Sequence, residues 1–197
     1  MTAKNIVIIQ GHPDPEGNRF CHALAAAYFK GAEASGHDVK EIDIAQVEFP
    51  MLRTQAEFVQ GEVPEAIKQT QHLIQSAEHL VIIYPLWLGT MPAYLKAFLE
   101  QVFRPGFSTI KTTTGEKPWD RLITEKTAHI VITMGMSDII YRSYFLGHGV
   151  KSVEGNILAF FGINTIQETL IGGVESITDA ERKQWLAKME LTGRAGL

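Results

Sequence analysis

Short runs that are apolar at every position, each followed by a longer stretch of helical period, recur about five times along the chain, and this alternation restricts the fold most. A strand without a polar face must be covered on both sides, which argues for βα units and a parallel sheet between two helical layers. Residues 5–10 form the first such strand, with a loop to Gly17 and a helix over about 18–34 stopped at Gly36. Residues 38–43 alternate and read as an edge strand, while 44–62 have no clean period. Val63-Pro64 opens a helix over 64–76. The most hydrophobic strand, 79–84, is ended by Pro85, and a helix over 93–103 carries Leu95, Phe98, Leu99 and Val102 on one face. A polar segment over 107–126 then precedes a strand at 128–134. A loop over 135–149, a helix ending near Gly162, a strand at 164–171 and a last helix capped by Thr178 complete the order.

A chain of 197 residues, 45% apolar, can close one sizeable core, and no low-complexity linker divides it, so a single domain over 1–197 is expected. The formal charge of −4, without a dense Lys/Arg run, argues against a nucleic-acid partner. No apolar stretch approaches the roughly 20 residues of a membrane span, and the N-terminus lacks a signal-peptide pattern, so a cytoplasmic protein is expected. Cys21 is the single cysteine, which leaves no intramolecular disulfide and no thiolate cluster, and it reads as a small buried residue of the first helix. The seven histidines show no metal-ligand spacing such as H-x-x-x-H.

In an open parallel sheet, ligands gather beyond the carboxyl ends of the strands where strand order reverses. Three loops leave such ends. The first, Gly11-His12-Pro13-Asp14-Pro15-Glu16-Gly17-Asn18-Arg19-Phe20, lacks both G-x-G-x-x-G and the P-loop ending, which disfavours an ATPase or an ordinary dehydrogenase. Asn18 is placed to cap the helix, whose first amides suit a phosphate, and Arg19 adds a cation. Asp14 and Glu16 oppose an anion there, and the alternative is a proline-braced turn. The second loop, Tyr84-Pro85-Leu86-Trp87-Leu88-Gly89-Thr90-Met91-Pro92, is apolar and aromatic where loops are usually polar. A flat apolar ring such as an isoalloxazine would cover it, with amides of Leu86 to Gly89 on its polar edge. A subunit contact through Trp87 and Leu88 is the competing reading. The third, Thr133-Met134-Gly135-Met136-Ser137, is small enough for close approach to a ring, and Tyr141 and His148 downstream are candidate hydrogen-bond donors during hydride transfer.

These residues resemble the NAD(P)H:quinone oxidoreductases of the flavodoxin-like fold over nearly the whole chain, most specifically in residues 84–96, which are similar to that family's flavin loop and following helix. The resemblance implies a doubly wound, five-stranded parallel sheet with helices on both faces, a homodimer, bound FMN or FAD, NADPH or NADH as donor and a quinone-like acceptor reduced in a two-electron ping-pong cycle. It implies that His12 and Asn18 face the flavin phosphate or ribityl chain, with Arg19 and Phe20 beside them. Pro85, Leu86, Trp87, Leu88 and Gly89 would face the ring, and Thr133 and Gly135 another side of it. Tyr141 and His148 match the family's hydride-assisting pair in order, with a spacing one residue longer. Trp87-Leu88 and Met134-Gly135-Met136 depart from the Gln-Trp and Thr-Gly-Gly of several relatives. Arg182 falls where relatives with FAD carry a basic residue. An ancillary subunit of a transport system with little turnover is the alternative function, and a flavodoxin-type one-electron carrier is disfavoured by the modest charge.

Overall fold

A computed structural model describes residues 2–105, 107 and 126–197. Five parallel strands lie in the order β2-β1-β3-β4-β5: β1 Asn5–Gln10, β2 Asp38–Asp43, β3 His79–Pro85, β4 Thr127–Thr133 and β5 Asn164–Ile171. The edge position read for 38–43 is the one β2 occupies, and only Val39 and Ile42 of it are buried, one on each face of the sheet. β3 is buried at every residue, as a central parallel strand must be.

The two faces separate by parity. Val7, Ile9, Leu80, Ile82, Tyr84, Ile130 and Ile132 point to one side, where they meet helices α3 (Glu65–Ser76) and α4 (Ala93–Val102) through Ile67, Ile74, Leu95 and Phe98. Ile6, Ile8, Val81, Ile83 and Val131 point to the other, under α1 (Phe20–Ala34) and α7 (Asp179–Ala195). These two helices touch backbone to backbone. A Cβ at Gly31 would overlap the carbonyl of Glu190, and one at Gly193 the carbonyl of Tyr28.

Several local expectations are corrected. Asn18 does not cap α1: the helix starts at Phe20 with Arg19 in the cap position and no side-chain cap, which leaves Asn18 one residue too early, its amide donating to Glu16 Oε2 at 3.2 Å. The aperiodic stretch contains α2, Gln55–Gln60, set by a capping box between Thr54 and Glu57. It is held by Arg104, whose buried guanidinium donates to the carbonyls of Glu57, Phe58, Gly61 and Glu62. The expected loop after β4 holds α5 (Asp138–Ser143) and α6 (His148–Lys151), and α6 runs on into a π-helical segment, Ser152–Leu158. The polar segment expected at 107–126 lies, apart from Phe107 and Lys126, outside the described residues.

Candidate functional site

β1 and β3 are neighbours whose connections leave on opposite faces, so the crest above them is the switch point. The three loops named from sequence all end there and are stitched together. Gly11 N–H donates to Ile83 O at 2.7 Å, Leu86 N–H to Thr133 O at 2.7 Å, and Cys21 Sγ lies 3.3 Å from Thr133 Oγ1. The Cys21 thiol is pushed up to about 12 by burial, with the Thr133 contact opposing, so it stays protonated and unreactive, as expected of a small buried residue.

The first loop is built on Gln10, which is fully buried at the end of β1. Its Oε1 accepts from His12 N–H at 2.6 Å, and its Nε2 donates to Asp43 Oδ1 at 3.1 Å and to His12 O at 3.4 Å. His12 Nδ1 accepts from Asp14 N–H at 3.1 Å. Burial, then the nearby His22, lowers the basicity of His12 below the ordinary imidazole range, with Asp14 and Asp43 opposing. Arg19 is bound to Asp14 at 2.5 Å and lies 3.8 Å from Glu16. The backbone N–H of Glu16 and then Arg19 hold Asp14 below the usual carboxylate range. The cation expected to attract an anion is therefore already paired. The first turn of α1 carries no acidic residue and no side-chain cap, and the His22 and Ala23 amides in it donate to Arg19 O.

His22 carried no assignment in the sequence reading. Both of its ring nitrogens are buried without a partner among the described residues, and its ring centroid is 5.6 Å from that of His12. The His12 ring in turn meets Trp87 edge-on at 5.8 Å, so a row of three rings crosses from the first loop to the second. A histidine three residues into the helix that follows a crest loop was the available signal.

The second loop is a two-residue hairpin closed by Trp87 N–H to Thr90 O at 2.8 Å and Thr90 N–H to Trp87 O at 3.1 Å. Both tip residues have positive φ, Leu88 at 49° and Gly89 at 83°, as a turn of this kind demands. Leucine in that conformation costs about 1–2 kcal/mol. Leu88 is fully exposed and Trp87 is 48% exposed. The Leu86 and Trp87 amides are used internally, whereas those of Leu88 and Gly89 have no partner among the described residues. Pro85 is buried in the sheet opposite Thr133 and so supports the loop from beneath.

In the third loop Gly135 is exposed, and a Cβ there would lie 3.3 Å from Glu175 Oε1. Tyr141, on α5, is completely buried, and its hydroxyl accepts the N–H of Val150 at 3.0 Å. Burial raises its pKa, so the phenol keeps its proton near neutral pH. Gly149 separates that hydroxyl from the second loop: a Cβ at Gly149 would lie 2.8 Å from Tyr141 Oη and overlap Gly89 O. His148 is exposed at the start of α6. Phe20 lies under the guanidinium of Arg182, 5.3 Å from ring centroid to carbon, and Arg182 also donates to Val174 O at 2.7 Å.

A parallel sheet of this order with three interlocked loops at its switch point defines a doubly wound α/β protein. The chain belongs to the family described as having the flavodoxin-like fold, whose model matches residues 4–191. It is similar to an NAD(P)H oxidoreductase of Haemophilus influenzae, with 28% identity over 183 residues, 91% of this chain and 89% of that one. It is also similar to an FMN-dependent NADH:quinone oxidoreductase of Macrococcus caseolyticus, with 23% identity over 188 residues, 85% of this chain and 86% of that one. Among solved structures, an NAD(P)H:quinone oxidoreductase from Methanothermobacter marburgensis superposes with a TM-score of 0.79 at 21% identity, covering 98% of this chain and 96% of that one, which shows the shared fold.

Proposed function

We propose that this chain is a flavin-dependent NAD(P)H:quinone oxidoreductase that holds FMN across the crest and passes two electrons from NADPH or NADH to a quinone-like acceptor by a ping-pong cycle. The observation that carries this reading is the hairpin at Leu88–Gly89, which presents two amides without a partner among the described residues, beside an exposed indole. Such an edge of donors next to an apolar surface suits a planar heterocycle with polar atoms along one side. The crest also suits the group's other end, since the first turn of α1 has neither an acid nor a side-chain cap. The names of the similar proteins support both the activity and the cofactor.

His12, Asn18, Arg19 and Phe20 would line the phosphate and ribityl end, Pro85 to Gly89 the ring, and Thr133, Gly135 and Tyr141 its far side. Bound there, FMN supplies a centre that accepts a hydride and gives up two electrons. Tyr141 has its oxygen lone pair engaged by Val150 N–H, which leaves its proton for donation, and burial keeps that proton in place. His148 is the second donor of the proposed pair. We favour FMN over FAD because FMN is the group named for the similar NADH:quinone oxidoreductase of Macrococcus caseolyticus.

The chain acts as one domain in the cytoplasm and pairs as a homodimer in this reading. Ile139, Ile140, Tyr144, Phe145 and Leu146, on α5 and the turn after it, are exposed, as are Trp87 and Leu88 of the second loop, which Gly149 of α6 approaches at Gly89, and these apolar side chains are the ones a partner subunit would cover. Among the described residues no helix is long and apolar enough to cross a membrane.

The purified chain is expected to be yellow, to release FMN on denaturation, to bleach with NADPH or NADH under anaerobic conditions, and to regain colour when a quinone is added. A protein that stays colourless after incubation with FMN defeats the reading. Bound flavin with negligible turnover on any acceptor, together with co-purification of a membrane protein, would favour an ancillary subunit instead.

A further inference from the structure

Two turns of the same unusual kind meet beside the crest. Leu88 and Gly89 have φ of 49° and 83° at the hairpin tip, and Leu146 and Gly147 have φ of 54° and 61° in the turn that opens α6. These leucines are the two non-glycine residues with positive φ among the described residues, and both are exposed. An exposed side chain gains nothing to offset the strain of a left-handed leucine, so the conformation persists only where the surrounding structure holds the backbone.

The hold is at Gly149. Behind it, the start of α6 is anchored by Tyr141, which accepts Gly147 N–H on its carbonyl at 3.2 Å and Val150 N–H on its hydroxyl at 3.0 Å. In front lies the hairpin: a Cβ at Gly149 would come within 2.3 Å of Gly89 O and 3.0 Å of Thr90 Cα. Both are main-chain atoms, which cannot swing aside as the end of a flexible side chain can. Gly149 is buried, and His148 before it is exposed. One residue without a side chain therefore joins the piece that offers the Leu88 and Gly89 amides to the piece that carries His148.

Resting on the functional reading above, we propose that Gly149 is a positioning residue for the flavin ring: it lets the α6 backbone seat directly on the hairpin at Gly89 and Thr90, which holds the tip in its left-handed form with the Leu88 and Gly89 amides free to meet the ring's polar edge. The same seat keeps His148 next to the hairpin. Gly149 touches no ligand itself. Donors fixed before the ring arrives need no ordering when it binds, so the seat acts on flavin affinity. The ring is common to FMN and riboflavin, and the seat acts on both alike.

The test titrates FMN and riboflavin, followed by flavin fluorescence, into the full chain freed of flavin, as wild type, Gly149→Ala, and Gly149→Ala combined with Leu88→Gly. Gly149→Ala should weaken both flavins by about 10-fold, the weight of one or two lost amide hydrogen bonds, with their ratio held within about twofold. Adding Leu88→Gly should recover most of that loss, because glycine takes up the left-handed form without being held there. General damage to packing at Gly149 would not be repaired by a second substitution on another loop. In the wild type, FMN should slow amide hydrogen exchange in residues 146–151 as well as in 86–90, a measurement that holds even where Gly149→Ala does not fold. Unchanged affinities in Gly149→Ala, no recovery with Leu88→Gly, or protection confined to 86–90 overturns the assignment and leaves the functional reading standing. Failure of the wild type to bind either flavin overturns both.

Discussion

Gln10 and His12 exchange a pair of hydrogen bonds, His12 N–H to Gln10 Oε1 at 2.6 Å and Gln10 Nε2 to His12 O at 3.4 Å, while the same amide holds Asp43 Oδ1 at 3.1 Å. A buried side chain at the last position of β1 thus sets the path of the first crest loop. Gln10→Leu leaves these groups unsatisfied and should cost about 1–3 kcal/mol, read as a lowered urea midpoint. FMN should dissociate faster as the loop loosens. An unchanged midpoint and unchanged dissociation would show that the clasp positions nothing.

The donor roles of Tyr141 and His148 are open to direct measurement. Tyr141→Phe and His148→Ala should each slow anaerobic flavin reduction by NADPH or NADH by about 10- to 100-fold in stopped flow, with bound flavin retained. Tyr141→Phe should also lose about 1 kcal/mol of stability, since Val150 N–H loses its acceptor. Wild-type reduction rates in both variants remove the pair from the mechanism.

For the exposed apolar surface, the quantity to measure is mass in solution. Tyr144→Glu combined with Phe145→Glu should shift sedimentation from a dimer to a monomer without altering the far-ultraviolet circular dichroism, because both side chains are exposed in the single chain. Sedimentation unchanged by the two charges places the subunit contact elsewhere.

Acid sensitivity follows from two histidines inside the sheet. His79 bonds Thr127 Oγ1 at 2.7 Å and His129 bonds Thr169 Oγ1 at 2.9 Å, and both are fully buried. Burial pushes their pKa values down to about 3 and about 4. In the unfolded chain the same imidazoles bind protons below about pH 6.5. Their contribution is therefore complete above that value and is lost as pH falls toward 4, by at most about 1.4 kcal/mol per histidine per pH unit. The urea midpoint should drop between pH 7 and pH 5, and His79→Gln or His129→Gln should remove about half of the dependence. Equal midpoints at the two pH values would contradict this.

The strands were legible because burial on two faces leaves an unmistakable apolar run, as in Ile6 to Ile9 or Leu80 to Tyr84. Helices α2 and α5 were not, since six-residue helices present too few turns for a period, and α2 buries none of its residues. The start of α1 was misplaced because Asn18 is a good capping residue, whereas the helix starts one residue later, behind Arg19, which supplies no side-chain cap. At the crest, the apolar run Leu86-Trp87-Leu88 announced an unusual loop. Its hairpin geometry stayed hidden, because leucine is a poor occupant of a left-handed position. His22 escaped notice for a different reason: a histidine on an amphipathic helix looks like packing until its nitrogens are seen to lack partners.

The glycine contact between α1 and α7 ties the aim of the first helix to the last one, since Gly31 lies against Glu190 and Gly193 against Tyr28. Until residues 179–195 have formed α7, α1 rests on the sheet alone and lacks the neighbour that fixes its sideways position, so loss of α7 would leave the start of α1, and the first crest loop attached to it, free to shift across the sheet.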